Sequence, residues 1–195
     1  MRNCVTAIFL AWACFTAQHA LAQEPDLETT VTWIENFING HGGGKLNEGA
    51  KGELRYSVSS SGTTLTVERV ETIHDRYGEW VFKNTYEIEL PSLKGVEQLH
   101  EDPDYNRSYG CTQTYLEFAS AAVKISYDRD DAWEAGRGGR EPGRTERKKF
   151  FEGVAFCGPE GRTKASKLIN AFEHLQSLIG STAGSRFDED LFEAD

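Results

Sequence analysis

The chain has 195 residues, with 31 acidic side chains against 21 basic ones and a formal charge of −10 at neutral pH. That balance argues against a general binder of nucleic acid or of anionic membranes, because neutralising phosphates needs a basic surface. The length suits one domain with a substantial core.

Met1 and Arg2 make a short basic start, Val5 to Ala17 is a mostly apolar run, and Ala20-Leu21-Ala22 precedes polar Gln23-Glu24-Pro25. This is the pattern of a secretory signal peptide over residues 1–22 with an A-x-A cleavage site. The run is too short to cross a bilayer of about 30 Å, and no later stretch has the roughly 20 apolar residues that a span needs. The expectation is an exported protein, periplasmic or secreted, with no transmembrane segment and a single domain at 23–182. Of the four cysteines, Cys4 and Cys14 belong to the signal, leaving Cys111 and Cys157. In an oxidising compartment such a pair is expected to form a structural disulfide. It closes a loop of about 45 residues, worth roughly 4 kcal/mol in the chain-entropy model. No C-x-x-C spacing supports a redox pair.

A helix is predicted from about Glu28 to Asn39, capped by Asp26 and stopped at Gly40. Leu27, Val31, Ile34, Phe37 and Ile38 fall at helical spacing and form one apolar stripe. The glycine-rich stretch from Gly40 to Gly52 reads as a flexible connection. Alternation of apolar and polar residues then predicts antiparallel strands with one wet face. Leu54, Tyr56 and Val58 mark the first, Ser59 to Gly62 a turn, and Leu65 and Val67 the return strand. Trp80, Phe82, Tyr86, Ile88 and Leu90 line one side of the longest strand, which Pro91 ends. Strands recur at Cys111 to Ser120, at Val123, Ile125 and Tyr127, and at Lys149 to Cys157. A closing amphipathic helix is expected from Thr163 to Ile179, ending at Gly180, with Ala165, Leu168, Ile169, Phe172, Leu175 and Ile179 on its apolar face. Residues 183–195 are rich in acid and read as a tail. The fold class is α+β: an N-terminal helix, a bent, barrel-like antiparallel sheet of about six or seven strands, and a C-terminal helix closing it.

Several motifs fail on inspection. His41-Gly42-Gly43-Gly44 resembles an esterase oxyanion loop, but no G-x-S-x-G accompanies it. The same stretch, ending at Lys45, is not a phosphate-binding loop, because Asn39 and Leu46 stand where Gly and Ser or Thr are required. Asp102, Asp104 and Asn106 have the alternate oxygen spacing of a calcium loop, but Arg107 replaces the required Gly and Gln113 the bidentate Glu. These three are the calcium candidates, and Asp128, Asp130, Asp131 and Glu134 form a second, unspecific acidic cluster. His41, His74, His100 and His174 have no metal-ligand spacing, and His74-Asp75 has no accompanying nucleophile. No metal or other cofactor is expected. Asn106-Arg107-Ser108 is a glycosylation sequon.

Arg137, Arg140, Arg144, Arg147, Lys148 and Lys149 concentrate positive charge in a loop kept irregular by its glycines and Pro142. They are the candidate partner contact. Thr30-Val31-Thr32-Trp33-Ile34, the stretch from Tyr86 to Leu93 and the stretch from Lys164 to Gly180 resemble a group of exported bacterial domains with a pleckstrin-homology-like fold. The resemblance implies a bent sheet closed by a C-terminal helix and supplies no catalytic residue. The leading expectation is a non-enzymatic exported domain that binds a protein or peptide through the loop Gly136 to Lys149 or a sheet edge. The alternatives are a carrier of an apolar ligand, with Trp80, Phe82, Tyr86 and Phe118 lining a cavity between sheet and last helix, and a hydrolase of unrecognised type.

Overall fold

The structure is a computed structural model that describes residues 25–46, 51–97 and 110–189, with side chains at 25–46, 51–96 and 110–180. The signal segment 1–22, His100 and the calcium candidates Asp102, Asp104 and Asn106 lie outside the described residues. Among the described residues no helix is long and apolar enough to cross a membrane.

Helix α1 (Leu27–His41) starts where expected, with the Asp26 carboxylate accepting the Thr29 N–H at 2.8 Å. It runs past Gly40, because a glycine in an exposed last turn costs only about 1 kcal/mol and need not stop a helix. The stop is Gly42, whose N–H donates to the Ile38 carbonyl at 2.7 Å. The chain then enters β1 (Gly43–Leu46), the first departure from expectation, since this glycine-rich stretch is a strand at the heart of the sheet. Gly43 has φ +81, and a Cβ there would stand 2.0 Å from the Leu54 carbonyl oxygen. The glycines that look like a flexible link are there for close backbone approach.

β2 (Lys51–Ser61) and β3 (Thr64–Asp75) pair over their whole length, turning at Gly62, and β3 pairs with β4 (Gly78–Glu89) from Thr64↔Glu89 to Asp75↔Gly78. β5 (Leu93–Glu97), β6 (Cys111–Gln113), β7 (Tyr115–Phe118) and β8 (Val123–Asp130) follow, then a short helix α2 (Asp131–Glu134). β9 (Thr145–Lys148), β10 (Phe150–Phe151), β11 (Ala155–Cys157) and the long helix α3 (Gly161–Glu189) complete the chain. Eight strands form one sheet in the order β6-β11-β1-β2-β3-β4-β8-β9, and three form a second in the order β10-β7-β5. The large sheet is mixed, because β1 and β11 run parallel at Gly43↔Phe156.

The α+β order with a helix at each end is as expected, but the sheet is neither purely antiparallel nor a closed barrel. Chain segments change sheet at Thr114, between β6 and β7, and at Lys149, between β9 and β10. Single backbone bonds, Thr114 N–H to Val154 O at 3.1 Å and Phe118 N–H to Lys149 O at 2.7 Å, tie the sheets at these corners without continuing the ladder. Part of the expected basic loop is also regular structure: Thr145–Lys148 is β9, paired to β8.

One core cluster joins both sheets to both long helices. Ile34 and Ile38 of α1 and Ala165, Leu168, Phe172 and Leu175 of α3 are buried against Leu54, Leu65, Ile88, Leu116, Phe118 and Phe156. Each of the Ile, Leu and Phe side chains contributes about 1.5–3 kcal/mol by leaving water. α3 continues through exposed Gly180 to Glu189, past its expected end. Where β1 no longer covers β2, the Asn39 side-chain amide takes its place, accepting from Val58 N–H at 2.7 Å and donating to Val58 O at 2.8 Å. Cys111 and Cys157 stand opposite each other in β6 and β11 and form a disulfide.

Candidate functional site

The β3–β4 ladder is twelve residues long, and its inward face changes character along its length. Leu65, Val67, Tyr86 and Ile88 are buried in the core. Towards the hairpin tip the same face carries the pairs Arg69↔Asn84, Glu71↔Phe82 and Ile73↔Trp80, all half-buried. Arg69 and Glu71 form an ion pair at 2.7 Å with only 13% and 14% of their side chains exposed.

The segment after β8 is fastened here by two aspartates. Asp130 is buried, and its carboxylate caps α2 by accepting Trp133 N–H at 2.9 Å and also accepts Arg140 N–H at 2.6 Å. A Cβ on Gly139 would meet that carboxylate at 2.4 Å, so the loop passes as closely as a bare backbone allows. Asp131 accepts Val81 N–H at 2.8 Å, and its Arg129 partner at 2.6 Å holds its carboxyl below the usual carboxylate range. Asp128 accepts the Thr85 hydroxyl at 2.6 Å. Of the second acidic cluster Asp130 and Asp131 therefore fasten this loop and Asp128 ties β8 to β4, and among the described residues no group of three or more His, Cys, Asp or Glu is placed to hold a metal. Replacing Asp130 with alanine leaves two backbone donors unmatched, at about 1–3 kcal/mol. The expected result is a melting temperature lower by a few degrees, at about 2–4 °C per kcal/mol, with faster amide exchange at Trp133 and Arg140. An unchanged melting temperature would contradict this role.

Fastened in this way, the loop lays Arg137 over the hairpin tip. Its guanidinium lies 4.3 Å from the Tyr77 ring centroid and 5.1 Å from that of Trp80, while Arg76 sits 4.6 Å from Tyr77 on its own strand turn. Tyr77 is 56% exposed and the neighbouring loop's Trp133 is 45% exposed. Asp75 is held below its ordinary range, first by the Trp80 indole N–H, which faces it from outside hydrogen-bond geometry, and then by Tyr77 N–H at 2.7 Å.

Further from the hairpin tip is a pocket of about 180 Å³ with Tyr86, Ile125 and Tyr127 in its lining and Arg69, Arg140 and Lys148 around them. The Tyr127 hydroxyl donates to Glu146, and burial, then Glu146, pushes its pKa from an ordinary 10.0 up to about 12. Glu146 is lowered in return, chiefly by that hydroxyl and next by Lys148 at 3.1 Å. An unfolded chain releases this tyrosine proton before the folded one, so the stabilisation is complete below pH 10 and declines as pH rises from 10 towards about 12. A chemical-denaturation series over that window should fall more steeply for the native protein than for Tyr127→Phe, and equal slopes would contradict the assignment.

Sequence reasoning places Arg137 and Trp80 in two different hypotheses, a partner loop and a ligand cavity, and the structure brings them into contact. Arg140 and Lys148 likewise share the small pocket with Tyr86. The remaining basic residues disperse: Arg144 pairs with Glu146 at 3.7 Å, Arg147 with Glu89 at 3.3 Å, and Lys149 is exposed at the sheet corner. Of the expected cavity residues Trp80, Phe82, Tyr86 and Phe118, Tyr86 is in the lining of the 180 Å³ pocket. Phe118 is fully buried in core packing, and Tyr86 meets Phe151 edge-on at 5.0 Å. His74 pairs with Glu79 at 3.4 Å, and His174 bonds the Pro25 carbonyl at 3.0 Å. Arg76, Tyr77 and Trp133 escape sequence reasoning, although Arg76-Tyr77-Gly78, an arginine beside an aromatic residue in a turn, was a usable signal. Comparison with known proteins finds no matching family, no matching curated protein and no matching solved structure.

Proposed function

We propose that the chain is an exported, non-enzymatic binding domain that engages a protein or peptide at the flank formed by Tyr77, Trp80, Trp133 and Arg137. The observation that carries this reading is the Arg137 guanidinium laid over Trp80 and the exposed Tyr77, with the exposed Trp133 four residues before it in the chain. Tyr, Trp and Arg are the residues that dominate interface energetics, and a side chain already held in place loses little entropy on binding. The Asp130 and Asp131 bonds supply that preorganisation. Export rests on the sequence pattern of residues 1–22, with which the disulfide is compatible.

The sheet edges offer less. β9 is four residues long and reads Thr-Glu-Arg-Lys, the charged kind of edge that discourages strand addition. β5 lies beside α3, where Gln176 donates to the Lys94 carbonyl at 2.5 Å. The test is capture from the exporting host's own extracytoplasmic fraction by the oxidised mature protein, by a Tyr77→Ala/Arg137→Ala double variant and by a Trp33→Ala control. A species retained by the native protein and the control but at least about tenfold depleted by the double variant is expected. Equal retention by all three would overturn the reading.

A further inference from the structure

We infer that the pocket of about 180 Å³ beside Arg140 is a carboxylate site, a deepening of the partner-binding reading on which it rests. Tyr86, Ile125 and Tyr127 contribute buried apolar surface to its lining, against which the apolar part of a ligand can pack, while Arg140 is exposed and open to approach. Three cationic side chains and the Asn84 amide line the pocket. Arg69 is held by Glu71 at 2.7 Å and Lys148 by Glu146 at 3.1 Å. Arg140 has no carboxylate partner for its side chain among the described residues, and its guanidinium lies 5.9 Å over the Tyr127 ring. Its backbone is fixed by Asp130 at 2.6 Å, so the guanidinium is presented from an anchored position. A planar guanidinium with open donors matches a carboxylate in bidentate fashion.

The lining also limits the ligand. Glu152 is the one acid in it and disfavours a second negative charge, so a monocarboxylate fits and a dianion such as phosphate does not. The volume falls below the roughly 300–1,000 Å³ of pockets for drug-sized ligands, which suits one terminal or side-chain group of a larger molecule, or a small aryl acid. The Tyr77, Trp80 and Arg137 stack begins four residues further along the same ladder, about 13 Å away, and would contact a more distant part of a peptide ligand.

The test is an NMR titration of the oxidised mature protein with benzoate, its neutral isostere benzamide, N-acetylphenylalanine for a peptide terminus, N-acetylglutamate α-amide for an acidic side chain, and inorganic phosphate. At least one carboxylate should produce saturable shifts at the Arg140 side chain and the Asn84 amide, with affinity on the order of millimolar. Benzamide should bind at least about tenfold more weakly than benzoate, and Arg140→Gln should lose about tenfold for every carboxylate with an unchanged spectrum elsewhere. The tightest carboxylate then identifies the source as free acid, chain terminus or side chain. Absence of saturable shifts, equal binding of benzoate and benzamide, tighter binding of phosphate, or an Arg140→Gln variant of native affinity would each overturn the assignment. Carboxylate binding without partner loss in the Tyr77→Ala/Arg137→Ala variant retains this site and rejects the partner surface; partner loss without carboxylate binding does the reverse.

Discussion

Gly43→Ala should destabilise the fold by on the order of 4 kcal/mol, a large part of the roughly 5–15 kcal/mol that holds a natural domain together. Two independent costs combine. A non-glycine residue at φ +81 is strained by about 1–3 kcal/mol, and a Cβ 2.0 Å from the Leu54 oxygen and 2.7 Å from its carbonyl carbon forces β1 away from β2. No flexible side chain can move aside, because the obstructing atoms are backbone in the middle of the eight-stranded sheet. The melting temperature should fall by about 10 °C or more. Gly40→Ala is the internal control: it lies in α1 with nothing within 4 Å of its Cβ and should be neutral or stabilising by about 0.5–1 kcal/mol. Comparable melting temperatures for the two variants would show that β1 is not held as described.

Opening the Cys111–Cys157 bond has the next largest effect. It joins residues 46 apart in sequence, for which the chain-entropy model gives about 4 kcal/mol. The ladder it secures is short, since β6 and β11 pair over only three residues, Ala155↔Gln113 to Cys157↔Cys111. Because β6 continues through Thr114 into β7, loosening it also releases a corner between the two sheets. Thermal unfolding of Cys111→Ala/Cys157→Ala, and of the native protein in dithiothreitol, should show the same loss of about 10 °C. A loss below about 2 °C in both would mean that strand pairing alone holds this end of the sheet.

The helices were legible because their apolar residues recur at helical spacing, and the α3 stripe from Ala165 to Leu175 is buried as that spacing requires. β2 was legible through strict alternation at Leu54, Tyr56 and Val58. β1 was not, because its first two residues are glycines selected for close approach to Leu54 and Cys157, so it carries no alternation to read. β6 with β7, and β10 with β11, were each expected as one strand, Cys111 to Ser120 and Lys149 to Cys157; pieces of two to four residues that pass from one sheet to the other are too short for a period of two to mark the break. The tip half of β3 hid for a different reason: Arg69 and Glu71 occupy inward positions as an ion pair, which looks like a solvated face in one dimension. In the candidate site, Arg137 stood out as charge in a loop, but its contact with Tyr77 and Trp80 depends on Asp130 and Asp131 folding one loop across a hairpin about 60 residues earlier. Long-range juxtapositions of that kind leave no local period.

The most direct test of the partner surface is site-specific photocrosslinking in the native host, with a photoreactive phenylalanine at Trp133 and, for comparison, at the similarly exposed Trp33 on α1. A discrete adduct from position 133 that disappears in the Arg137→Ala background, with none from position 33, is the predicted result. An adduct from position 133 that survives Arg137→Ala, or one that forms only from position 33, would contradict the assignment of the arginine–aromatic flank as the binding surface.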